Sequence, residues 1–454
     1  MSVRQAAGRG RGTRATGSKS DVDARPSPAR SAPGGLPDPH TGVASRFPLV
    51  AYDDAIAVLR RFRPLGTEYV AVTGVVGRVL ARPVRAALDV PHFARAYMDG
   101  YAVRAGDTTG ATDTAPARLR VVGAVEMGHA APGPVRAGEA MRIPTGGMLP
   151  ARADAVVMVE HTSEAGDGTV AIARAARPGQ HVMARGEDMR RGDLLFAAGH
   201  RCRPHDVGAL TGVGASRVLV HRRPRVAVIA TGNEIVPPDA TPQPGQVRSI
   251  NQYALAAMIA AEGGVAIDFG VVPDRVAAIR GAVTRALRTA DVVMLSGGSS
   301  VGTKDLTPRV IGALPRARVL VHGVRIKPGK PTLIAQVGAK PVLGLPGHPV
   351  SALVVFEIFG APLVRRLAGE PDERAFTPRT PVRARLAAPI ASTAGRDDWV
   401  RVRLEERGGD WIAHPLAGGS AEIAAFVHAD GMVHVAAATP AVEAGATVVV
   451  QRFL

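Results

Sequence analysis

The chain of 454 residues is longer than one hydrophobic core serves, so about two to four domains are expected; with aromatics at only 4%, their cores fall to Ala, Val, Leu and Ile. Lysine and arginine outnumber the acids 56 to 39, a formal +17 that points to an anionic partner, but no long basic block with interleaved aromatics follows the N-terminal tail, which argues against nucleic acid. The single cysteine, Cys202, excludes an internal disulfide and a Cys-rich metal centre and fits a reducing, cytoplasmic setting, while no apolar run nears the ~18–20 residues of a membrane span.

Residues 1–45 are rich in Gly, Arg, Ser and Pro and are expected to be disordered. They lack the apolar core of a secretion signal, and the absence of acids before Asp21 leaves an organelle-transit reading open. From Tyr52 the spacing predicts a helix with Ala55, Ile56, Val58 and Leu59 on one stripe, and a second amphipathic run covers Val75 to Leu80. Asp99-Gly100, flanked by apolar residues, reads as a turn. Short β-like runs (Leu119–Val125, Ala155–Glu160, Thr169–Ala173) then alternate with Gly/Pro turns, giving an elongated, β-rich N-terminal region over 46–222.

At Arg225 strict alternation of strand and helix begins: Val226–Ala230, a helix over Tyr253–Glu262, Val265–Val272, a helix after Asp274, a strand at 292–295, a helix near Leu306–Leu314, strands near Val319 and Val342, and a last helix from Pro349. Repeated βα units predict a doubly wound, mostly parallel α/β sheet domain over 223–371, with ligands at the carboxyl ends of its strands. After Gly369-Glu-Pro helices are not expected, and Val382–Leu386, Trp399–Leu404 and Thr447–Val450 suggest a small C-terminal β-barrel or sandwich over 372–454. The fold class is thus multidomain α/β plus β.

Three stretches of the α/β region suit an oxyanion or phosphate ester. Ser296-Gly-Gly-Ser-Ser-Val-Gly302 follows a buried strand and precedes a helix, where backbone amides can approach a phosphate; a tight strand-to-helix connection is the competing reading. Lys327-Pro-Gly-Lys330-Pro holds two ammonium groups on one turn, and at ~4 Å such a pair repels by roughly 4 kcal/mol, which an anion between them would remove; a solvated surface turn is the alternative. Gly347-His-Pro-Val-Ser351 puts proline at the first helical position and a hydroxyl beside the positive end of the helix dipole, unless it is an ordinary helix start. Among the acids, Asp274 sits where an N-cap belongs, Asp305 follows the glycine loop where a carboxylate could hold Mg²⁺ against a pyrophosphate, and Glu187 and Asp154 lie in turns where solvated acids are the default.

From about Phe47 to Leu454 the chain resembles the molybdopterin molybdenumtransferases, the MoeA type that also includes the E domain of gephyrin. The resemblance is carried by the order of Met98-Asp-Gly-Tyr-Ala-Val103, Pro144-Thr-Gly-Gly147, Ala153-Asp-Ala-Val-Val157, Arg185-Gly-Glu-Asp188, Thr231-Gly232, Ser296-Gly-Gly298, Lys327-Pro-Gly-Lys-Pro331 and Gly344-Leu-Pro-Gly347. It implies insertion of molybdate into adenylated molybdopterin with Mg²⁺-dependent release of AMP, and a homodimer whose cleft combines the sheet domain of one subunit with parts of the other. By the same resemblance molybdate falls to Lys327, Lys330, Ser351, Arg401 and Ser420, with Arg396 a weaker candidate than Arg401. The pterin and AMP fall to Thr231, Gly232, Asn233, Ser296, Gly297, Gly298, Ser299, Gly302, Gly347 and Asp154, and the metal to Asp274, Asp305 and Glu187, which share the catalytic role with the two lysines. Transient contact with the molybdopterin-adenylating protein and with molybdoenzyme apoproteins is also implied.

Three departures bear on chemistry. Asn233 stands where the resemblance expects aspartate, with compensation by Glu234 left open; His348 stands where it expects asparagine; and Ala94-Arg95-Ala96 replaces a more polar run. The first leaves a competing reading: a non-catalytic paralogue that binds or carries molybdopterin or finished cofactor.

Overall fold

A computed structural model describes residues 48–297 and 306–453. The tail 1–45 and the expected ligand positions Gly298, Ser299, Gly302 and Asp305 lie outside the described residues.

The N-terminal region contains a mixed sheet in the order 155–158, 100–103, 139–143, 117–124, 169–172, 162–164. Its alternating side chains feed two cores, Tyr101 and Val103 to one and Ala102 to the other, as period-2 strands require. Asp99-Gly100 is not a free turn: Gly100 opens strand Gly100–Val103 so close to its neighbour that a Cβ there would overlap the Val157 carbonyl, and Asp99 Oδ1 accepts the Thr145 N–H at 2.7 Å. The run Val75–Leu80 is not a helix either. A single 3₁₀ turn, Val72–Gly74, precedes Gly77 at φ +76, and Val79 and Leu80 then bridge Arg201 and Val220. Its apolar residues are buried as their pattern suggests, but a left-handed glycine stops any helical continuation.

The α/β domain is a sheet in the order 265–272, 225–231, 292–296, 340–345, 333–337, 317–322. The first four strands are parallel, and 333–337 alone runs opposite, antiparallel to both 340–345 and 317–322. Its central strands are apolar throughout because both faces are covered: Val226, Val228, Val292 and Met294 pack into one core, Ala227, Ile229, Val293 and Leu295 into the other. Helix Asn251–Ala261, stopped by Gly263 at φ +87, and the run 349–367 cover the first face. Helix Val276–Thr289 and helix Leu306–Gly312 cover the second.

The C-terminal region closes into a barrel in which strand 397–407 pairs with both 410–415 and 431–435, the circuit passing through 381–386 and 447–452. Helices do not stop at residue 369: Asp372–Ala375 and Ile423–Val427 form short ones. The barrel shares the first core with the sheet domain, for Trp399 and Met432 are buried there together with Leu59 and Phe359.

Candidate active site

Parallel strands bring their carboxyl ends to one edge, and three of them end side by side: Ala230 is in register with Ser296, and Ser296 with Leu345. Glycine lets the loops beyond them touch. Gly297 sits at φ +104, where a Cβ would overlap the Thr231 carbonyl and stand 2.8 Å from Thr231 Oγ1; the space a Cβ would fill at Gly347 is 3.5 Å from Gly297 Cα. Asn251, the first residue of its helix, clamps the crevice by donating from Nδ2 to Ser296 Oγ at 2.7 Å and to the Gly347 carbonyl at 2.8 Å. Sequence reasoning missed Asn251 because the apolar periodicity starts at Tyr253; the signal available was the polar pair Asn251-Gln252, placed where a helix begins.

Acids gather at the open end of this crevice. Asp274 does not cap the following helix, whose N-cap is Arg275 and carries no side-chain capping bond. Instead its N–H donates to Asn233 Oδ1 at 3.2 Å, and its carboxyl is pushed above the usual range by burial and then by the charge of Glu234. Thr231 Oγ1 is close enough to the Asp274 carboxyl to pull its pKa down, though less than burial and Glu234 raise it, so hydroxyl and carboxyl face one another at the buried end of the crevice. Glu234 folds back over Gly232, where a Cβ would stand 2.7 Å from Glu234 Oε1. The second carboxylate beside Asp274 is therefore that of Glu234, not a group at position 233.

Oxygen donors of this kind suit a hard divalent cation, and the repulsion between the two acids is what such an ion would offset. No group of three His, Cys, Asp or Glu side chains converges among the described residues.

The lysine turn lies against the helix that carries Ser351. Ile326–Lys327 forms a short strand parallel to Asp397–Asp398 of the barrel, and a Cβ on Gly329, at φ +112, would overlap Val355 Cγ2. Thr332 holds the turn by donating N–H and hydroxyl to the Gly329 carbonyl at 3.1 and 2.6 Å. Ser351 is 5% exposed in the first turn of helix Pro349–Val355. From the barrel, Ser420 reaches the same helix start: its carbonyl accepts the Val350 N–H at 3.0 Å and its Oγ lies 2.7 Å from His348 Nδ1. Arg401 is 8% exposed and donates from Nη2 to the Gly418 carbonyl at 2.6 Å, while its Nε has no partner among the described residues and burial lowers its pKa. Arg396 is occupied by Asp398, Nε to Oδ1 at 2.9 Å.

The loop Pro346-Gly347-His348 therefore joins two half-sites. Gly347 belongs to the crevice of Thr231, Ser296, Gly297 and Asn251, and His348 to the cationic corner of Ser351, Ser420, Arg401 and the lysine turn. Two expected residues are not brought to either. Glu187 accepts the Ala184 N–H at 2.6 Å and the Tyr97 hydroxyl at 2.8 Å within the N-terminal region, and these bonds hold its carboxyl below the usual range. Asp154 Oδ1 accepts the Ala105 N–H at 2.7 Å, a bond that fixes the local backbone.

Comparison with known proteins places the three regions of the chain in one family. Residues 50–214 match the MoeA N-terminal region (domain I and II), 227–366 a probable molybdopterin binding domain, and 383–453 the MoeA C-terminal region (domain IV). The molybdopterin molybdenumtransferase of Haemophilus influenzae is 30% identical over 393 residues, 86% of this chain and 95% of that protein. Molybdopterin molybdenumtransferase 2 of Mycobacterium tuberculosis is 35% identical over 363 residues, 79% of this chain and 87% of that one. A molybdopterin biosynthesis MoeA protein from Pyrococcus horikoshii superposes with a TM-score of 0.77 at 28% identity, covering 89% of this chain and 100% of that one. With relatives aligned along most of its length and all three regions matched in order, the chain belongs to the MoeA family, that of the molybdopterin molybdenumtransferases.

Proposed function

We propose that this chain completes molybdenum cofactor biosynthesis by inserting molybdate into adenylated molybdopterin and releasing AMP. The observation that carries the reading is the single loop 346–348, which ties an amide-lined crevice to a cationic corner, so that a nucleotide-capped ligand and a small dianion would meet across it. Molybdate is a tetrahedral dianion, matched by the ammonium groups of Lys327 and Lys330, the guanidinium of Arg401 and the hydroxyls of Ser351 and Ser420. The pterin–AMP pyrophosphate would lie over Gly297 and Gly347, within reach of Thr231, Ser296 and Asn251. Gly298, Ser299 and Gly302 would extend that cradle.

Mg²⁺ would be held by Asp274 and Asp305, with Glu187 contributed by a second copy of the chain in a homodimer and Glu234 supplying the charge that Asn233 lacks. When bound, it offsets the pyrophosphate charge as AMP departs. Asn233 no longer favours the carrier reading once Glu234 stands beside Asp274. No described helix is long and apolar enough to cross a membrane. Incubating the purified chain with adenylated molybdopterin, molybdate and Mg²⁺ is expected to release AMP. Release no greater than that of a Lys327→Ala variant overturns the enzyme, and pterin binding without release would establish the carrier in its place.

A further inference from the structure

We propose that His348 is a positioning residue that turns the Ser420 hydroxyl towards the oxyanion, an inference that rests on the molybdate site proposed above. Ser420 is fixed at its backbone, because its carbonyl takes the Val350 N–H at 3.0 Å. Its side chain meets His348 Nδ1 at 2.7 Å. A serine hydroxyl has one proton to give. If Nδ1 accepts that proton, nothing remains for an anion. If Nδ1 carries hydrogen and donates to Oγ, the Ser420 O–H is left pointing away from the ring. With Lys327, Lys330 and Arg401 drawing a dianion to this corner, the arrangement in which Ser420 donates to the anion is the favoured one, and His348 serves as the donor behind it.

The atom count of the side chain supports this role. His348 Nδ1 is separated from Cα by Cβ and Cγ, as is Nδ2 of an asparagine, so an amide at this position can place an N–H donor at the same distance from Ser420. The ring is exposed, and its removal leaves no buried cavity to destabilise the fold.

Steady-state AMP release is measured against molybdate concentration for the wild-type chain, His348→Ala, His348→Asn, Ser420→Ala and the double variant His348→Ala/Ser420→Ala, each checked for an unchanged melting temperature. His348→Ala is expected to raise the molybdate KM about five- to tenfold, the worth of one ordinary hydrogen bond, with kcat within about twofold. His348→Asn is expected to remain within about twofold of wild type, and the double variant to be no worse than Ser420→Ala alone. An unchanged KM in His348→Ala, additive losses in the double variant, or a His348→Asn as impaired as His348→Ala each overturn the positioning role while leaving the enzyme reading intact. A wild-type chain that releases no AMP overturns both.

Discussion

Glu357 lies in the π-helical turn Phe356–Gly360, where the run 349–367 passes between the sheet domain and the barrel, in a cleft it shares with Tyr52, Glu262, Arg365, Arg379 and Gln451. Burial, and then the charge of Glu262, push its carboxyl up to about 7, against the pull of Arg365 and Arg379. A raised carboxyl contributes stability that is complete below its unfolded value near 4.5 and is lost as pH rises through about 7. A shift of that size corresponds to about 3 kcal/mol at 1.36 kcal/mol per unit. Glu357→Gln cannot ionise, so at pH 8 it is expected to be more stable than wild type by up to about 3 kcal/mol, with most of that advantage gone at pH 5. Urea denaturation of both proteins across pH 5–8 reads the difference directly, because other titrating groups cancel. A difference that stays flat, or a wild type that is the more stable protein at pH 8, would mean that Glu357 is ionised and paired with Arg365 or Arg379, and would refute the reasoning.

Gly329→Ala places a methyl against Val355 Cγ2 and 3.0 Å from Ile326 Cδ1 at a φ that disfavours side chains; a loss of about 2–3 kcal/mol in thermal unfolding and a raised molybdate KM are expected together, since the lysine turn must lift from the helix. Thr231→Val removes a buried hydroxyl whose one partner is the Asp274 carboxyl, so melting should change by no more than about 1.5 kcal/mol while affinity for adenylated molybdopterin falls, which calorimetry can separate. Asp274 carries a raised carboxyl, whose stabilising share is greatest at low pH and is lost as pH rises through the folded value, so Asp274→Asn should gain stability relative to wild type with rising pH and lose its response to Mg²⁺ in the same melting assay.

The sheet domain was legible because its signals are local. Apolar runs such as Val226–Ala230 and Val292–Leu295, ended by Thr231-Gly232 and Ser296-Gly297, suffice to place strand ends and hence the crevice. Strand Leu333–Val337 escaped, since it is one arm of a hairpin whose turn at Gly338, φ +62, carries only a weak sequence mark. The run Val75–Leu80 misled because burial alone sets an apolar pattern, and bridges to Arg201 and Val220, distant in sequence, override helical spacing. At the site, glycines and lysines announced themselves by type. Asn251 did not, because its role depends on contacts with Ser296 and Gly347 that no neighbouring residue encodes, and the sequence left open whether Glu234 acts beside Asp274 for the same reason.

The barrel's place in the site follows from the same non-local contacts. Arg401 and Ser420 can complete an anion corner only if the barrel holds one position over helix Pro349–Val355, and a linker alone would leave it free. Three kinds of tie remove that freedom. Ile326–Lys327 pairs backbone to backbone with Asp397–Asp398, so the strand that delivers Lys327 is also the barrel's own edge. Trp399 and Met432 are buried in the sheet domain's core, with Tyr52 packed at 5.4 Å from the Trp399 ring and 5.6 Å from Phe359; burial of each such side chain is worth about 2–3 kcal/mol. Arg379, just before the barrel begins, joins Glu262 and Glu370 at 2.9 Å, and Arg201 of the N-terminal region joins Glu370 at 3.0 Å. Shifting the barrel by even one residue of register would break the pairing at Lys327 and draw Trp399 and Met432 out of the shared core, while the Arg379 ion pairs hold the segment that enters it. The barrel is therefore as fixed over helix Pro349–Val355 as the core beneath it, so the dianion proposed for this corner would meet Arg401 and Ser420 already in place.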